Sequence, residues 1–381
     1  MILAINASRA KSGGARAHLI GILNELKPGK YGFTEVHIWS YKELLEQLPD
    51  APWLFKHSEL LLERSLLFQI YWEVFKLKKE ISKINFDILL NVDAGTFARI
   101  SPSVAMSRDM LSYEPGELQR YPWGYMRFRI LALRYVQNLT FRSADGVIFL
   151  TKYASRVIQK SCGKLKKVSY IPHGVGKNFF YQDFPQNIKI TEDYVIKCIY
   201  VSPPWLFKHQ WNVVEAMHQL KQKGYKIELL LVGGRGNPEG EKKLEEALFK
   251  FDRLKEYVTR LDHVSHDKLP AVIKNNDIFI FASSCENMPN TVLEGMASGL
   301  PIACSSKGPM SEVLHDGGIY FDPECPESIT ESLEKLISNE DLRNALISKS
   351  SNRVKLYSWS RCADETLKFL SETYTEFGKH D

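Results

Sequence analysis

The chain has 381 residues, 44% hydrophobic and 25% charged, with a formal net charge of +5; these values exclude a disordered or collagen-like protein. The length predicts two or three domains, and no apolar run approaches the roughly eighteen residues that a membrane-spanning helix needs. The six cysteines are scattered without CxxC spacing, which excludes a disulfide-bonded scaffold and favours a reducing, cytoplasmic compartment.

Charge is distributed unevenly along the chain. Residues 1–190 contain 27 Lys and Arg against 16 Asp and Glu, and the remainder contains 23 against 29. A basic amino-terminal half suggests an anionic partner, such as nucleic acid, an anionic membrane surface or a phosphorylated substrate. A solvated basic face without a ligand is an equally weighted alternative.

The chain opens with MILAINAS, which has no basic leader and therefore predicts a first strand and not a signal peptide. A polar loop over residues 7–14, with Gly13 and Gly14, precedes a helical pattern over residues 15–26. A strand, a glycine loop and a helix in succession can bring backbone N–H groups close to a phosphate. Because SGGARAHL is not a full GxGxxG, a plain turn is the alternative.

Two segments mix aromatic with basic residues at helical spacing. Residues 53–79 read WLFKHSELLLERSLLFQIYWEVFKLKK, and residues 120–142 read RYPWGYMRFRILALRYVQNLTFR. Basic amphipathic helices of this kind lie in the interface of anionic membranes. Core helices of an α/β domain with one basic face have the same pattern, and this alternative has slightly more weight.

The most informative candidate for a binding or catalytic site begins with a short apolar strand at residues 278–282. Glu286 follows in a loop, Pro289 suits the first turn of a helix, and Glu294 is predicted within that helix. The loop carboxylate thus follows the carboxyl end of a strand and precedes a helix amino terminus. Ligands of open α/β sheets bind in this crevice, and helix amino termini favour phosphate.

These residues, read as ENMPNTVLEGMASGLPIACS and followed by SEVLHDGGIYFDP, resemble the donor site of retaining glycosyltransferases of family 4. The resemblance implies an α/β, GT-B architecture of two facing Rossmann-like domains with a cleft between them. The domains would be 1–177 on the acceptor side, 178–192 as linker, 193–360 for the nucleotide-sugar donor, and 361–381 as a terminal helix crossing back to the first domain.

The resemblance also implies roles for single residues. Glu286 would orient the donor sugar, and Lys208 would meet the diphosphate as a point charge. Arg108 stands where many members have a histidine that touches the sugar, so the histidine's role does not transfer. An arginine there could bind a sugar hydroxyl or an acceptor phosphate. Glu294 would hold the ribose hydroxyls, with further donor contacts from Asn287, Met288, Pro289, Asn290, Gly13, Gly14, Gly233, His263 and Val264.

The expected activity is hexosyl transfer with anomeric retention, from a GDP- or UDP-linked sugar with a slight preference for GDP-mannose. The acceptor would be a glycan or lipid-linked oligosaccharide in surface polysaccharide or O-antigen synthesis, on the cytoplasmic face of a membrane, with no nucleic acid as partner. Because the sequence contains no Asp-x-Asp pair, we expect no metal and no cofactor beyond the nucleotide sugar. The alternatives are a sugar-nucleotide 2-epimerase and a non-catalytic sugar-nucleotide binder.

Overall fold

The computed structural model describes residues 1–11, 13–180, 190–191 and 193–378. Most of the predicted linker at 178–192 therefore lies outside the described residues. The strands are β1 Ile2–Asn6, β2 Glu35–Ser40, β3 Leu54–Ser58, β4 Ile88–Asn91, β5 Ser103–Ser107, β6 Gly146–Phe149, β7 Val168–Tyr170, β8 Ile196–Val201, β9 Ile227–Val232, β10 Val258–Leu261, β11 Ile278–Phe281, β12 Ile302–Ser305 and β13 Ile319–Phe321.

The α-helices alternate with these strands, and a π-helical turn, Trp72–Lys76, joins two of them. The helices are α1 Gly13–Glu25, α2 Lys42–Leu45, α3 Leu60–Glu63, α4 Leu66–Tyr71, α5 Leu77–Ser82, α6 Tyr125–Ser143, α7 Lys152–Cys162, α8 Gln210–Gln222, α9 Pro238–Phe251, α10 Leu269–Lys274, α11 Asn290–Ala297, α12 Met310–Val313, α13 Pro326–Ser338, α14 Glu340–Val354 and α15 Trp359–Phe377.

The strands form two parallel sheets. The first has the order β3-β2-β1-β4-β5-β6-β7 and the second the order β10-β9-β8-β11-β12-β13. In both sheets the strand order reverses beside the first strand, between β1 and β4 in one and between β8 and β11 in the other. This is the doubly wound arrangement in which ligands bind at the reversal point. The prediction of two Rossmann-like domains is confirmed.

The chain forms two compact units, one of residues 1–174 with 358–381 and the other of residues 175–357. In the first unit, α15 packs on α1 and on the β4–β5 region of the sheet. Gly174 permits this packing, because a Cβ at that position would lie 2.2 Å from the backbone N of Trp359. The buried apolar face of α15, which includes Leu367 and Leu370, joins the core formed by β1, β2, β4 and α1.

The segment at 53–79 differs from its prediction as a continuous helical region. Its first part is the parallel strand β3, paired with β2, and helix begins only at Leu60. The letters LFKHS fit either structure, and pairing along the edge of the sheet favours the strand. The rest is helical and buries Leu62 and Trp72 in a small core. No helix in the described ranges is both long and apolar enough to cross a membrane.

Candidate active site

The second unit collects most of the predicted site residues at the carboxyl edge of its sheet. Lys208 follows β8, Gly233 follows β9, the loop with His263 and Val264 follows β10, and Glu286 follows β11. β8 and β11 are hydrogen-bonded neighbours at the reversal point. The sheet topology thus brings together residues that are far apart in sequence, at the edge where doubly wound sheets bind their ligands.

Lys208 and Glu286 form an ion pair. The Lys208 ammonium donates to Glu286 Oε1, and Ser283 Oγ donates to the same oxygen at 2.7 Å. Two hydrogen bonds to backbone carbonyls fix the lysine segment. Ser284 N, just after β11, donates to Phe207 O at 2.8 Å, and the hydroxyl of Tyr200, in β8, donates to Lys208 O at 2.7 Å. The two charged residues, 78 positions apart, are therefore held at one point of the edge.

The ammonium of Lys208 also lies over two aromatic rings, 4.8 Å from the centroid of Phe281 and 5.4 Å from that of Phe207. Cation–π attraction stabilises a charge held in this position. The side chains of Lys208 and Glu286 keep 12% and 15% of their surface exposed. The pair is thus ordered by its neighbours and still reachable from solvent.

Glu294 lies in α11, as predicted, and its carboxylate is buried. His266 Nε2 lies 3.2 Å from Glu294 Oε1, and this contact raises the pKa of His266 although burial opposes the rise. Glu294 Oε2 is buried with no hydrogen-bond partner among the described residues, and so is Oδ1 of Asn290, the first residue of the helix. Buried polar atoms in native proteins are nearly always hydrogen-bonded, so these two oxygens are suited to a ligand that supplies donors.

The loop before α11 differs from its prediction in the position of Pro289, which was expected in the first turn of the helix. Asn287 and Met288 are buried, and Pro289 precedes the helix in an extended conformation, so that α11 begins at Asn290 and not at the proline. Gly233 is required where it stands, because a Cβ there would lie 2.5 Å from the carbonyl of Ser202. His263 is exposed and close to Gly234.

The first unit carries the remaining predicted residues at the carboxyl edge of its own sheet. Gly13 and Gly14 begin α1, and the Arg108 guanidinium donates to the carbonyls of Gly14 at 2.6 Å and Ala15 at 3.1 Å. Burial lowers the pKa of Arg108 to about 10 and raises the pKa of Asp93, which follows β4 and interacts electrostatically with Arg108.

A buried polar network lies at the reversal point of this first sheet. Asn6 donates to the Asn91 side chain at 3.0 Å, and Ser8 bridges Asn6 and Glu73 at 2.8 Å each. Glu73 lies on the π-helical turn, a feature frequent at functional sites, and its carboxylate also pairs with Arg9 at 2.9 Å.

Several residues of these two edges were not predicted from the sequence, among them Tyr200, His266, Ser283, Glu73 and Asp93. Glu73 had a signal, since it is a single carboxylate among the apolar residues of YWEVF. The contact of His266 with Glu294 joins a loop to helix α11 across 28 residues of sequence, and no spacing pattern encodes such a contact. Among the residues that the structure describes, no group of three or more His, Cys, Asp or Glu is arranged to hold a metal ion.

Comparisons with known proteins agree with this geometry. Residues 184–353 match the family model described as Glycosyl transferases group 1. An uncharacterized glycosyltransferase of Methanocaldococcus jannaschii is 22% identical over 63% of each chain. O-antigen chain mannosyltransferase B of Escherichia coli is 24% identical over 29% of each chain. The matches thus span less than two thirds of the length of these two relatives.

A solved structure matches the whole chain. The structure of Anabaena HepE in complex with UDP-glucose has a TM-score of 0.74 at 16% identity, covering 98% of this chain and 100% of that one. Similarity at this identity establishes the fold, which is GT-B. The resemblance drawn from the sequence is confirmed at this level.

Proposed function

We propose, from the glycosyl transferases group 1 domain that the chain carries at residues 184–353, that the protein is a retaining hexosyltransferase. Its donor is a nucleotide diphosphate sugar bound at the carboxyl edge of the second sheet. The observation that carries the proposal is the buried carboxylate of Glu294, whose Oε2 has no hydrogen-bond partner among the described residues. The two adjacent hydroxyls of a ribose supply the donors that this atom lacks.

The chemistry follows from the charges at the same edge. Cleavage of the glycosidic bond leaves positive charge on the sugar and releases a diphosphate, which preorganised cations and backbone dipoles stabilise. Lys208 supplies the cation, and the amino terminus of α11 supplies backbone dipoles. Glu286 accepts hydrogen bonds from the sugar, and no metal or cofactor enters the proposal. Retention follows the family's favoured account, in which the acceptor attacks the front face and the leaving phosphate takes its proton.

The donor is GDP- or UDP-linked. The motif ENMPN and the O-antigen mannosyltransferase relative support GDP-mannose, whereas the HepE neighbour was solved with UDP-glucose. A thermal-shift screen of nucleoside diphosphates and their sugars separates these donors. If neither UDP nor GDP raises the melting temperature, the assignment of a nucleotide site is wrong.

The acceptor is lipid-linked in this proposal, and the first unit docks on an anionic membrane face. Helix α6 carries an exposed stripe in which Tyr125, Phe128 and Tyr135 are 80%, 61% and 66% exposed, while Ile130 and Phe141 of the same helix are buried. Exposed aromatic residues grouped on one face of a helix commonly mark an interaction site. Arg129, exposed within the same helix, adds the positive charge that anionic lipid attracts.

A second exposed apolar surface lies on the same unit. Leu67, Tyr71 and Phe75 are exposed on α4 and the π-helical turn. Both helical segments are tied to one loop: Glu73 accepts from Phe97 N at 3.0 Å, and Thr140 Oγ1 donates to Thr96 O at 3.0 Å. The basic half of the chain thus carries two exposed apolar surfaces, on helical segments that contact the same loop. These surfaces support a peripheral association with the inner face of the cytoplasmic membrane.

Turnover of a labelled nucleotide sugar tests the proposed function against its alternatives. Transfer of the label to a lipid-linked or glycan acceptor supports the transferase. An epimerised nucleotide sugar without transfer supports the 2-epimerase, whose additional acid and base carboxylates have no motif here. Binding without any product supports a non-catalytic binder, and either of these last two results would overturn the transferase assignment.

A further inference from the structure

Lys208 and Glu286 form an ion pair, although the proposed function assigns them to different parts of the donor. Lys208 is assigned to the diphosphate and Glu286 to the sugar, yet each is the other's partner in the structure. Ser283 Oγ donates to the same oxygen, Glu286 Oε1, at 2.7 Å. Both hydrogen bonds of that oxygen thus come from groups that a ligand can replace.

Binding of a diphosphate changes the balance of charge at this point. When phosphate oxygens attract the Lys208 ammonium, its bond to Glu286 becomes weaker. The Glu286 carboxylate then lies beside the negatively charged diphosphate without its cation. Like charges placed together disfavour binding unless new donors compensate. A nucleotide sugar brings such donors as the hydroxyls of its hexose. A bare nucleoside diphosphate brings none, and its terminal phosphate carries an additional ionisable oxygen.

We propose that Glu286 competes with bound diphosphate for Lys208, so that the site discriminates a nucleotide sugar from the bare nucleoside diphosphate. This inference rests on the proposed function and deepens it. With the nucleotide sugar, hexose hydroxyls replace Lys208 and Ser283 as donors to Glu286, and the lysine is released to the diphosphate. After transfer of the hexose, Glu286 pairs with Lys208 again, and the nucleoside diphosphate dissociates. Glu286 is therefore a specificity-determining residue that also promotes product release.

The backbone of Lys208 is fixed beside its partner. The Lys208 ammonium lies over the rings of Phe281 and Phe207, and Lys208 O is fixed by the hydroxyl of Tyr200. The hydrogen bond from Tyr200 thus restrains the backbone of Lys208, and the exchange requires only that the ammonium change partner.

The test is isothermal titration calorimetry of UDP, GDP, UDP-glucose and GDP-mannose with wild type, Glu286→Gln and the exposed control Glu331→Gln. Glu286→Gln keeps the shape of the side chain and removes its charge. We expect Glu286→Gln to bind the preferred nucleoside diphosphate at least about fivefold more tightly than wild type, because a like charge is removed. We expect it to bind the nucleotide sugar no more tightly than wild type does. Glu331→Gln removes an exposed carboxylate of α13, so it should bind the nucleoside diphosphate like wild type.

Equal or weaker binding of the nucleoside diphosphate by folded Glu286→Gln would overturn the competition. A Lys208→Gln variant provides a second measurement. It should weaken binding of the nucleoside diphosphate in both the wild-type and the Glu286→Gln backgrounds. If Lys208→Gln leaves that affinity unchanged in both, the competition is also wrong. Failure of wild type to bind any of the four compounds would contradict the proposed function itself, together with this inference.

Discussion

His266 Nε2 lies 3.2 Å from Glu294 Oε1, while the other oxygen of that carboxylate is buried without a partner in the part of the chain that the structure describes. The histidine therefore fixes one oxygen of Glu294 and leaves the second directed to a ligand. Its imidazole also contacts the buried ring of Phe179 edge-on, at 5.1 Å between centroids. His266 is thus a positioning residue for the carboxylate proposed to hold the ribose.

Replacing His266 with alanine should weaken nucleoside diphosphate binding by roughly three- to tenfold, the value of one ordinary hydrogen bond. Because the contact with Glu294 raises the pKa of His266, the charged imidazole strengthens the contact at low pH. The difference between variant and wild type should therefore be largest below about pH 6.5 and shrink as the pH rises through the raised pKa. Calorimetry at three pH values measures it, with exposed His315→Ala as control. A difference independent of pH would contradict the charged contact.

Stability of the first unit should fall in acid because of two buried histidines. The rings of His18 and His173 lie 4.2 Å apart. Burial lowers the pKa of His173 to about 3 and that of His18 well below its usual range. The unfolded chain takes up protons near pH 6.5 and the folded chain does not, so the free energy of unfolding decreases as the pH falls below 6.5.

The expected slope is up to about 1.4 kcal/mol per pH unit for each histidine. His173→Asn removes one of the two groups and should give a shallower decline between pH 6.5 and 4. Urea denaturation at several pH values measures both slopes. Identical slopes for wild type and His173→Asn would show that His173 is not held neutral by burial.

How far the sequence predicts the structure differs between backbone and side chains. Short apolar runs followed by turn residues correctly predict strands such as β11, and Pro289 with the carboxylates predicts that Glu286 lies in the loop and Glu294 in the helix. The stretch LFKHS at 54–58 was predicted as helix, because strand and helix patterns are equivalent over five residues and pairing with β2 decides between them.

Contacts between distant side chains could not be predicted. The sequence identifies Lys208 and Glu286 as separate ligands of the donor, but nothing in their spacing indicates that they pair with each other. The exposure of Tyr125, Phe128 and Tyr135 also needed the structure, since an amphipathic pattern does not say which face is covered.

Chelation should have little effect on turnover. In the proposed mechanism Lys208 and backbone dipoles stabilise the leaving diphosphate, which leaves no role for a divalent cation. Initial rates with a labelled donor, measured with and without excess EDTA, test this expectation. Complete loss of activity that Mg²⁺ or Mn²⁺ restores would show that a metal takes part.

Liposome sedimentation tests the membrane surface. Changing Phe128 and Tyr135 to serine together with Arg129→Glu should reduce capture by anionic vesicles, because exposed apolar area and one positive charge are lost. Each basic residue near an anionic membrane surface contributes about 1 kcal/mol to the binding free energy. Capture of wild type should need anionic lipid and decrease with added salt.

The matched control replaces exposed apolar residues of the other unit, Phe249 and Leu254, with serine, and it should sediment like wild type. Arg134 is not a suitable target, because its Nε donates to Ser161 Oγ at 3.0 Å and a substitution would disturb that packing. Equal recovery of wild type in the supernatant with neutral and anionic vesicles at low salt would contradict membrane docking.

Calorimetric titration of the nucleoside diphosphate into Glu294→Ala tests the central claim most directly. The account predicts a loss of about 1.5–3 kcal/mol for each hydrogen bond from a ribose hydroxyl to the carboxylate. Exposed Glu331→Ala, on α13, should bind like wild type. Unchanged affinity in a folded Glu294→Ala protein would contradict the assignment of the donor to this site.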